Sequence, residues 1–181
     1  MLQITVPATE LWDDEKEIFV STKEQTLRLE HSLVSVSKWE MKWHKPFLER
    51  KRKTWAESAD YVRCMTLTQN VDPNVYACVT SEHFKMIAEY IDDPMTATRI
   101  SKGENQKRSQ RKILTSEEIY WQMIALGIPF ECEKWHLNRL FMLIDVCNAK
   151  NEPPKKMSQI EIMKQNAAIN AERKKKWKTR G

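Results

Sequence analysis

Three glycines in 181 residues, Gly103, Gly127 and Gly181, constrain this chain more than any other feature. Phosphate-cradling loops of the Gly-x-Gly-x-x-Gly or Walker type need several glycines close together, so they are excluded. A Gly-x-Ser-x-Gly nucleophile elbow is excluded on the same ground. Tight-turn dipeptides are also few, which favours helices over a β-sandwich of many hairpins. The seven tryptophans argue that the chain folds, because disordered chains lack the aromatic surface that offsets ordering entropy. The length suits one domain, or one domain with arms. No apolar run approaches the ~18 residues of a membrane span. Residues 1–17 lack the basic flank and apolar stretch of a signal peptide, so a cytoplasmic location is expected. Cys64, Cys78, Cys132 and Cys147 are widely spaced and are expected as reduced thiols rather than a disulfide framework.

Residues 1–31 differ from the rest. Gln3 to Val6 and Ile18 to Ser21 are β-branched runs around an acidic stretch, Glu10 to Glu17, and they are expected to pair as a hairpin. Thr26 to Glu30 alternates and reads as a third strand. Residues 1–30 hold seven acidic and three basic side chains, a net charge of −4.

From Ser32 the period changes. Leu33, Val36, Trp39 and Trp43 fall on one helical face, and His44-Lys45-Pro46 ends that helix. Val34 to Ser37 also alternates, which keeps a strand start open there. Thr54-x-x-Glu57 is a capping box opening a helix with Trp55, Ala59, Val62 and Met65 or Thr66 as its buried stripe. Residues 71–74 read as a turn. Ser81 can cap a helix facing inward through Phe84, Ile87, Ala88 and Ile91, which Asp93-Pro94 stops. Residues 101–112 have no apolar side chain and read as a polar hinge. Thr115-x-x-Glu118 is a second capping box, and Gly127 supplies the left-handed residue that ends its helix. A further helix is expected from about Phe130 to Asn148, facing inward through Leu137, Leu140, Phe141 and Ile144. Ser158-x-x-Glu161 opens a last helix that runs into a basic tail. Residues 150–181 hold ten basic and three acidic side chains, a net charge of +7, so residues 1–149 are slightly acidic.

Several constellations could carry chemistry. Cys132 and His136, four apart on an expected helix, resemble half a zinc site, but zinc needs three or four ligands and no second pair exists. The plainer reading is a thiol and an imidazole at a helical interface. No cysteine has the local cations that activate a nucleophile. The carboxylates gather at helix starts and in the acidic arm, where dipoles and solvation explain them. No catalytic residue, metal or cofactor is therefore assigned. Arg173, Lys174, Lys175 and Lys176 beside Trp177 could bind phosphates and stack on a base, although charge runs alone are weak evidence. Tryptophan is enriched at binding hot spots, and there is more indole here than a small core requires. Trp39, Trp43 and Trp135 are the first candidates for a partner contact, on the expectation that at least one is exposed.

Several segments carry a family resemblance. They are LEHSLVSVSKWEMKWHKPFL (29–48), YVRCMTL (61–67), DDPMTAT (92–98), IYWQMIALGIPFECEKWHLNRL (119–140) and the closing IEIMKQNAAINAERKKKW. Together they resemble the tail assembly chaperones of long-tailed bacteriophages, or a neighbouring virion structural protein. The resemblance implies a non-catalytic role: holding the helical tape-measure protein in solution while tail-tube subunits polymerise around it. Such a role calls for an apolar surface that covers amphipathic helices.

The expectation is a mainly α protein with a small N-terminal β arm and a single core of about five helices. The arm is residues 1–31, the core 32–149 with its hinge at 101–112, and the basic helix and tail 150–181. The expected partners are tape-measure or tail-tube proteins, with homo-oligomers and nucleic acid as further partners and no membrane. The expected location is the host cytoplasm. The first alternative is a connector or tail-completion subunit retained in the virion. The second is a small nucleic-acid-binding protein acting through its tail.

Overall fold

A computed structural model describes residues 1–13, 17–49, 51–99, 114–151 and 159–177. The fold is mainly α with four short N-terminal strands. It divides into two compact units, Met1–Asn148 and Ala149–Gly181. The hinge expected at 101–112 and the cap expected at Ser158 lie outside the described residues. No helix among the described residues is long and apolar enough to cross a membrane.

The strands form one interrupted ribbon. β1 (Leu2–Val6) pairs antiparallel with β4 (Gln25–Leu29), and β2 (Thr9–Asp13) pairs with β3 (Ile18–Thr22). The register carries across the break: Val6↔Gln25 is followed by Thr9↔Thr22, three residues further along each strand. The expected partnership of 3–6 with 18–21 is therefore corrected. Each run pairs elsewhere, and the acidic stretch itself contributes β2. Pro7 accounts for the interruption, since it has no N–H to give a ladder. The break also resets the pleat. Ile4, Val6, Leu27 and Leu29 face the core, whereas beyond it Leu11, Val20 and Thr22 are the sheltered set and Trp12 and Phe19 point outward. The free edge of β4 is covered by residues 65–68: the Glu30 N–H donates to the Met65 carbonyl at 2.9 Å and the Leu67 N–H to the Arg28 carbonyl at 2.7 Å.

α1 (Leu33–Trp43) is the centre of the first unit and packs against α2 (Trp55–Met65), α4 (Ser116–Ala125) and the 3₁₀ segment Phe130–Lys134. Ser32 caps it, and His44 ends it in the left-handed region at φ 52°. Thr54 and Glu57 close the expected capping box on α2. The stripe expected there is corrected at Trp55, which is exposed; Glu57, Tyr61, Val62 and Met65 face inward instead. Asp72 caps a 3₁₀ segment, Pro73–Cys78, where a turn is expected. α3 (Ser81–Asp92) is capped by Thr80 rather than Ser81, with Ile87 and Tyr90 buried and Ala88 exposed.

α4 ends as the sequence indicates. Gly127 sits at φ 65°, the Ile128 N–H reaches the Met123 carbonyl at 2.9 Å and the Gly127 N–H reaches Ile124 at 3.2 Å. That is the double bond of a glycine-terminated helix. Its start is a correction. Thr115 makes no side-chain capping bond. Glu40 of α1 supplies the acceptor instead, taking the Ser116 N–H at 2.8 Å on one oxygen and the Phe47 N–H at 2.7 Å on the other. The helix expected from Phe130 to Asn148 is two elements, the 3₁₀ segment and α5 (Leu137–Asn151). The chain breaks between them because the Leu137 N–H donates to the His31 carbonyl at 2.8 Å. The core face of α5 is Leu137, Leu140 and Ile144, with Phe141 half-buried.

A row of rings threads this core. Trp43 stacks on Trp39, and Trp39 meets Phe47 edge-on at 5.2 Å between centroids. Phe47 stacks on Tyr61 at 4.0 Å, and His31 joins Tyr61 to His136, which meets Tyr90 at 4.9 Å. Much of the aromatic surplus is spent here. The second unit contains α6 (Gln159–Trp177), whose described side chains are exposed.

Candidate interaction surfaces

Of the residues singled out from sequence, Trp39 is not available to a partner. It is 1% exposed, and its indole N–H donates to the Glu57 carbonyl at 2.9 Å. This corrects its selection: the helical spacing that drew attention to it is the spacing of a core face. Trp43 is half-buried, and its indole N–H donates to Asp60 at 2.9 Å. Lys42 and Lys45 hold their ammonium groups 5.6 and 5.9 Å from its ring. Trp135 is half-buried under the Arg139 guanidinium, 4.1 Å from its centroid. None of the three is broadly exposed. Arg173, Lys174, Lys176 and Trp177 are exposed on α6, apart from the other three; the side chain of Lys175 lies outside the described residues.

The rim around Trp43 is a settled ion network. Asp60 takes both Lys42 at 2.5 Å and Arg63 at 2.9 Å. Burial raises the Asp60 carboxyl, but hydrogen bonds from Lys42 and Trp43 and the Arg63 charge outweigh it, leaving the group below its ordinary value. The Lys45 ammonium, with the Thr54 N–H, holds the Glu57 carboxyl down to about 2. Any partner at Trp43 would have to displace these contacts.

The buried polar groups of the core are equally committed. His31 Nδ1 and the Tyr61 hydroxyl lie 2.5 Å apart. Burial, and the facing His136 ring, push His31 down to about 3, so it is neutral at physiological pH. His136 accepts the Asn138 N–H at Nδ1, 3.3 Å away, which caps α5, and its Nε2 donates to the Tyr90 carbonyl at 3.0 Å. Burial and the Glu30 carboxylate raise the Tyr90 phenol above its ordinary value. These groups join β4, α3 and α5. Cys132 and His136 sit on different elements, not on one helix face, which corrects the expected geometry. Among the described residues no group of three or more His, Cys, Asp or Glu could hold a metal ion.

The broadly exposed aromatics lie elsewhere. On α4, Glu117, Trp121 and Ile124 follow one another at helical spacing on the outward face. Trp121 is 68% exposed and Ile124 63%, with Phe130 beside them beyond the helix end at 55%. Glu117 and Glu131 are exposed at the same surface. On the ribbon, Trp12 and Phe19 are directly paired across β2 and β3, with ring centroids 4.9 Å apart. Phe19 is 69% exposed and Trp12 and Ile18 are 50% each.

The chain matches no protein-family model, no curated protein and no solved structure. The surfaces must therefore be read from their own chemistry. Single exposed apolar residues are ordinary, whereas grouped ones mark interaction sites. Sequence spacing pointed to Trp39 and Trp43 because it registers periodicity. It does not register which periodic face has a neighbour. The exposed face of α4 was legible only as one more periodic stripe, because Ile119 and Met123 mark an inner face and Trp121 and Ile124 a second, outer one.

Proposed function

We propose that this chain is a non-catalytic protein-binding factor of phage tail morphogenesis, a chaperone that holds the tape-measure protein while tube subunits polymerise. The observation that supports it is the outward face of α4. Trp121 and Ile124, one turn apart and rimmed by Glu117, offer an apolar strip that suits the apolar side of an amphipathic helix. The strip lies inside the segment 119–140 that carries part of the resemblance to tail assembly chaperones. Tryptophan at the centre of such a strip is the residue type most often found to dominate binding.

The test has two parts. Mass spectrometry of infected-cell lysate beside purified particles should find the protein in the lysate and not in the particle. Stoichiometric presence in particles overturns the chaperone and makes the chain a virion subunit. Co-purification of the tape-measure protein should fall on Trp121→Ala, with affinity lowered roughly 30-fold for a hot-spot loss of about 2 kcal/mol. Unchanged capture by a folded Trp121→Ala variant removes α4 as the client surface.

A further inference from the structure

We infer that the tip of the β ribbon is a docking site for the basic helix α6 of a second copy of this chain. The two surfaces are opposite in charge and alike in apolar character. Residues 10–17 contain five carboxylates and one lysine, the densest negative run in the chain. Residues 173–176 are four consecutive cations followed by Trp177, the densest positive run. At the ribbon tip Trp12, Ile18 and Phe19 are exposed, and on α6 Met163, Ile169 and Trp177 are exposed. Exposed aromatic faces beside carboxylates accept lysine and arginine by ring contact as well as by ion pairing.

Each surface also has reason to be covered. A two-stranded ribbon is marginal in water wherever it is not packed, and β2 and β3 pair only with each other among the described residues. A lone helix of 19 residues whose described side chains are exposed is also near the limit of stability. Docking one on the other buries the apolar residues of both. Pairing two ribbon tips instead would bring like charges together, which electrostatic complementarity disfavours. The contact joins different surfaces of two copies, so it repeats head to tail and gives a ring or an open series rather than a closed symmetric dimer.

Sedimentation velocity on the full chain tests this. Self-association is expected at about 20 mM salt and should weaken sharply at about 1 M, where the Debye length falls to ~3 Å. Two charge-reversed variants sharpen the test. One carries Glu10→Lys, Glu17→Lys and Glu24→Lys; the other carries Lys164→Glu, Arg173→Glu and Lys176→Glu. All six sites are exposed, so circular dichroism should be unchanged. Each variant alone should lose association at least about tenfold, and mixing the two should restore it, because each then meets its complement. Trp12→Ala should weaken association without altering its salt dependence. A monomer at every concentration and salt overturns the inference. So does a mixture that stays monomeric, or loss of association on Glu117→Lys with the ribbon and tail intact.

Discussion

Glu40→Gln tests how α4 is held. In the fold, one carboxylate of α1 closes the start of α4 and the loop after α1 together, through the Ser116 and Phe47 N–H groups at 2.8 and 2.7 Å. Glu40 is buried, so neither N–H has water as a substitute. A hydrogen bond to a charged group contributes about 1.5–3 kcal/mol, and a buried donor left unmatched costs about 1–3. Glutamine keeps the shape and one acceptor, but turns its NH₂ toward the other donor. The expected loss is roughly 2–4 kcal/mol, since one charged bond goes and one N–H is orphaned. For a unit of this size that lowers Tm by roughly 5–15 °C. Urea unfolding followed by circular dichroism measures it, with an unchanged slope showing that only stability moved. Thr115→Ala is the decisive comparison. Thr115 makes no capping bond, so its loss should cost under ~0.5 kcal/mol, against ~1 for a bonded threonine cap. If Thr115→Ala proves as costly as Glu40→Gln, the carboxylate does not hold this helix and the reasoning fails.

Two further outcomes follow from single groups. His31 is lowered from 6.5 to about 3 in the fold, so the unfolded chain binds the proton more readily; the stability is whole above about pH 6.5 and is lost as pH falls toward 3. That amounts to about 2 kcal/mol between about pH 7 and pH 5, and His31→Phe should flatten the slope there; Glu57, lowered from 4.5 to about 2, adds its loss only at more acid pH. Gly127→Ala should destabilise by about 1 kcal/mol through its left-handed backbone alone, since an added Cβ meets nothing within 4 Å, and a neutral result in urea unfolding contradicts that assignment.

The legible parts of the sequence were those written in a few neighbouring residues. Thr54-x-x-Glu57 and the Gly127 stop depend on bonds that span three to five residues, and both form as expected. Thr115-x-x-Glu118 has the same pattern, yet the acceptor for Ser116 arrives from Glu40, 76 positions earlier. A local rule cannot weigh a distant competitor. The ribbon shows the same limit. Gln3 to Val6 was recognisable as a strand, but its partner depends on the whole register, and β2 was hidden because alternation in Thr9–Asp13 is overlaid with carboxylates. His136 carried no metal signal in the fold because its nitrogens are used on Asn138 and Tyr90. For the candidate surface, periodicity found the buried indole, Trp39, and passed over Trp121, whose exposure depends on tertiary neighbours.

The anchoring of α4 and the surface it presents are one problem. Ten residues are too few for a helix to persist on its own in water. α4 persists because Glu40 fixes its first turn, Gly127 closes its last, and Ile119 and Met123 bury its inner face. Trp121 and Ile124 are therefore displayed on a helix whose rigidity comes from α1 rather than from its own sequence. A rigid display lowers the ordering cost of binding, which otherwise comes out of the affinity. Loosening the first turn through Glu40→Gln should then weaken capture of a helical client even at temperatures where the chain remains folded. A loss of Trp121 should weaken capture without changing stability. The pair separates the contact from the scaffold that presents it: equal stability with unequal binding belongs to the contact, and reduced stability with reduced binding belongs to the scaffold.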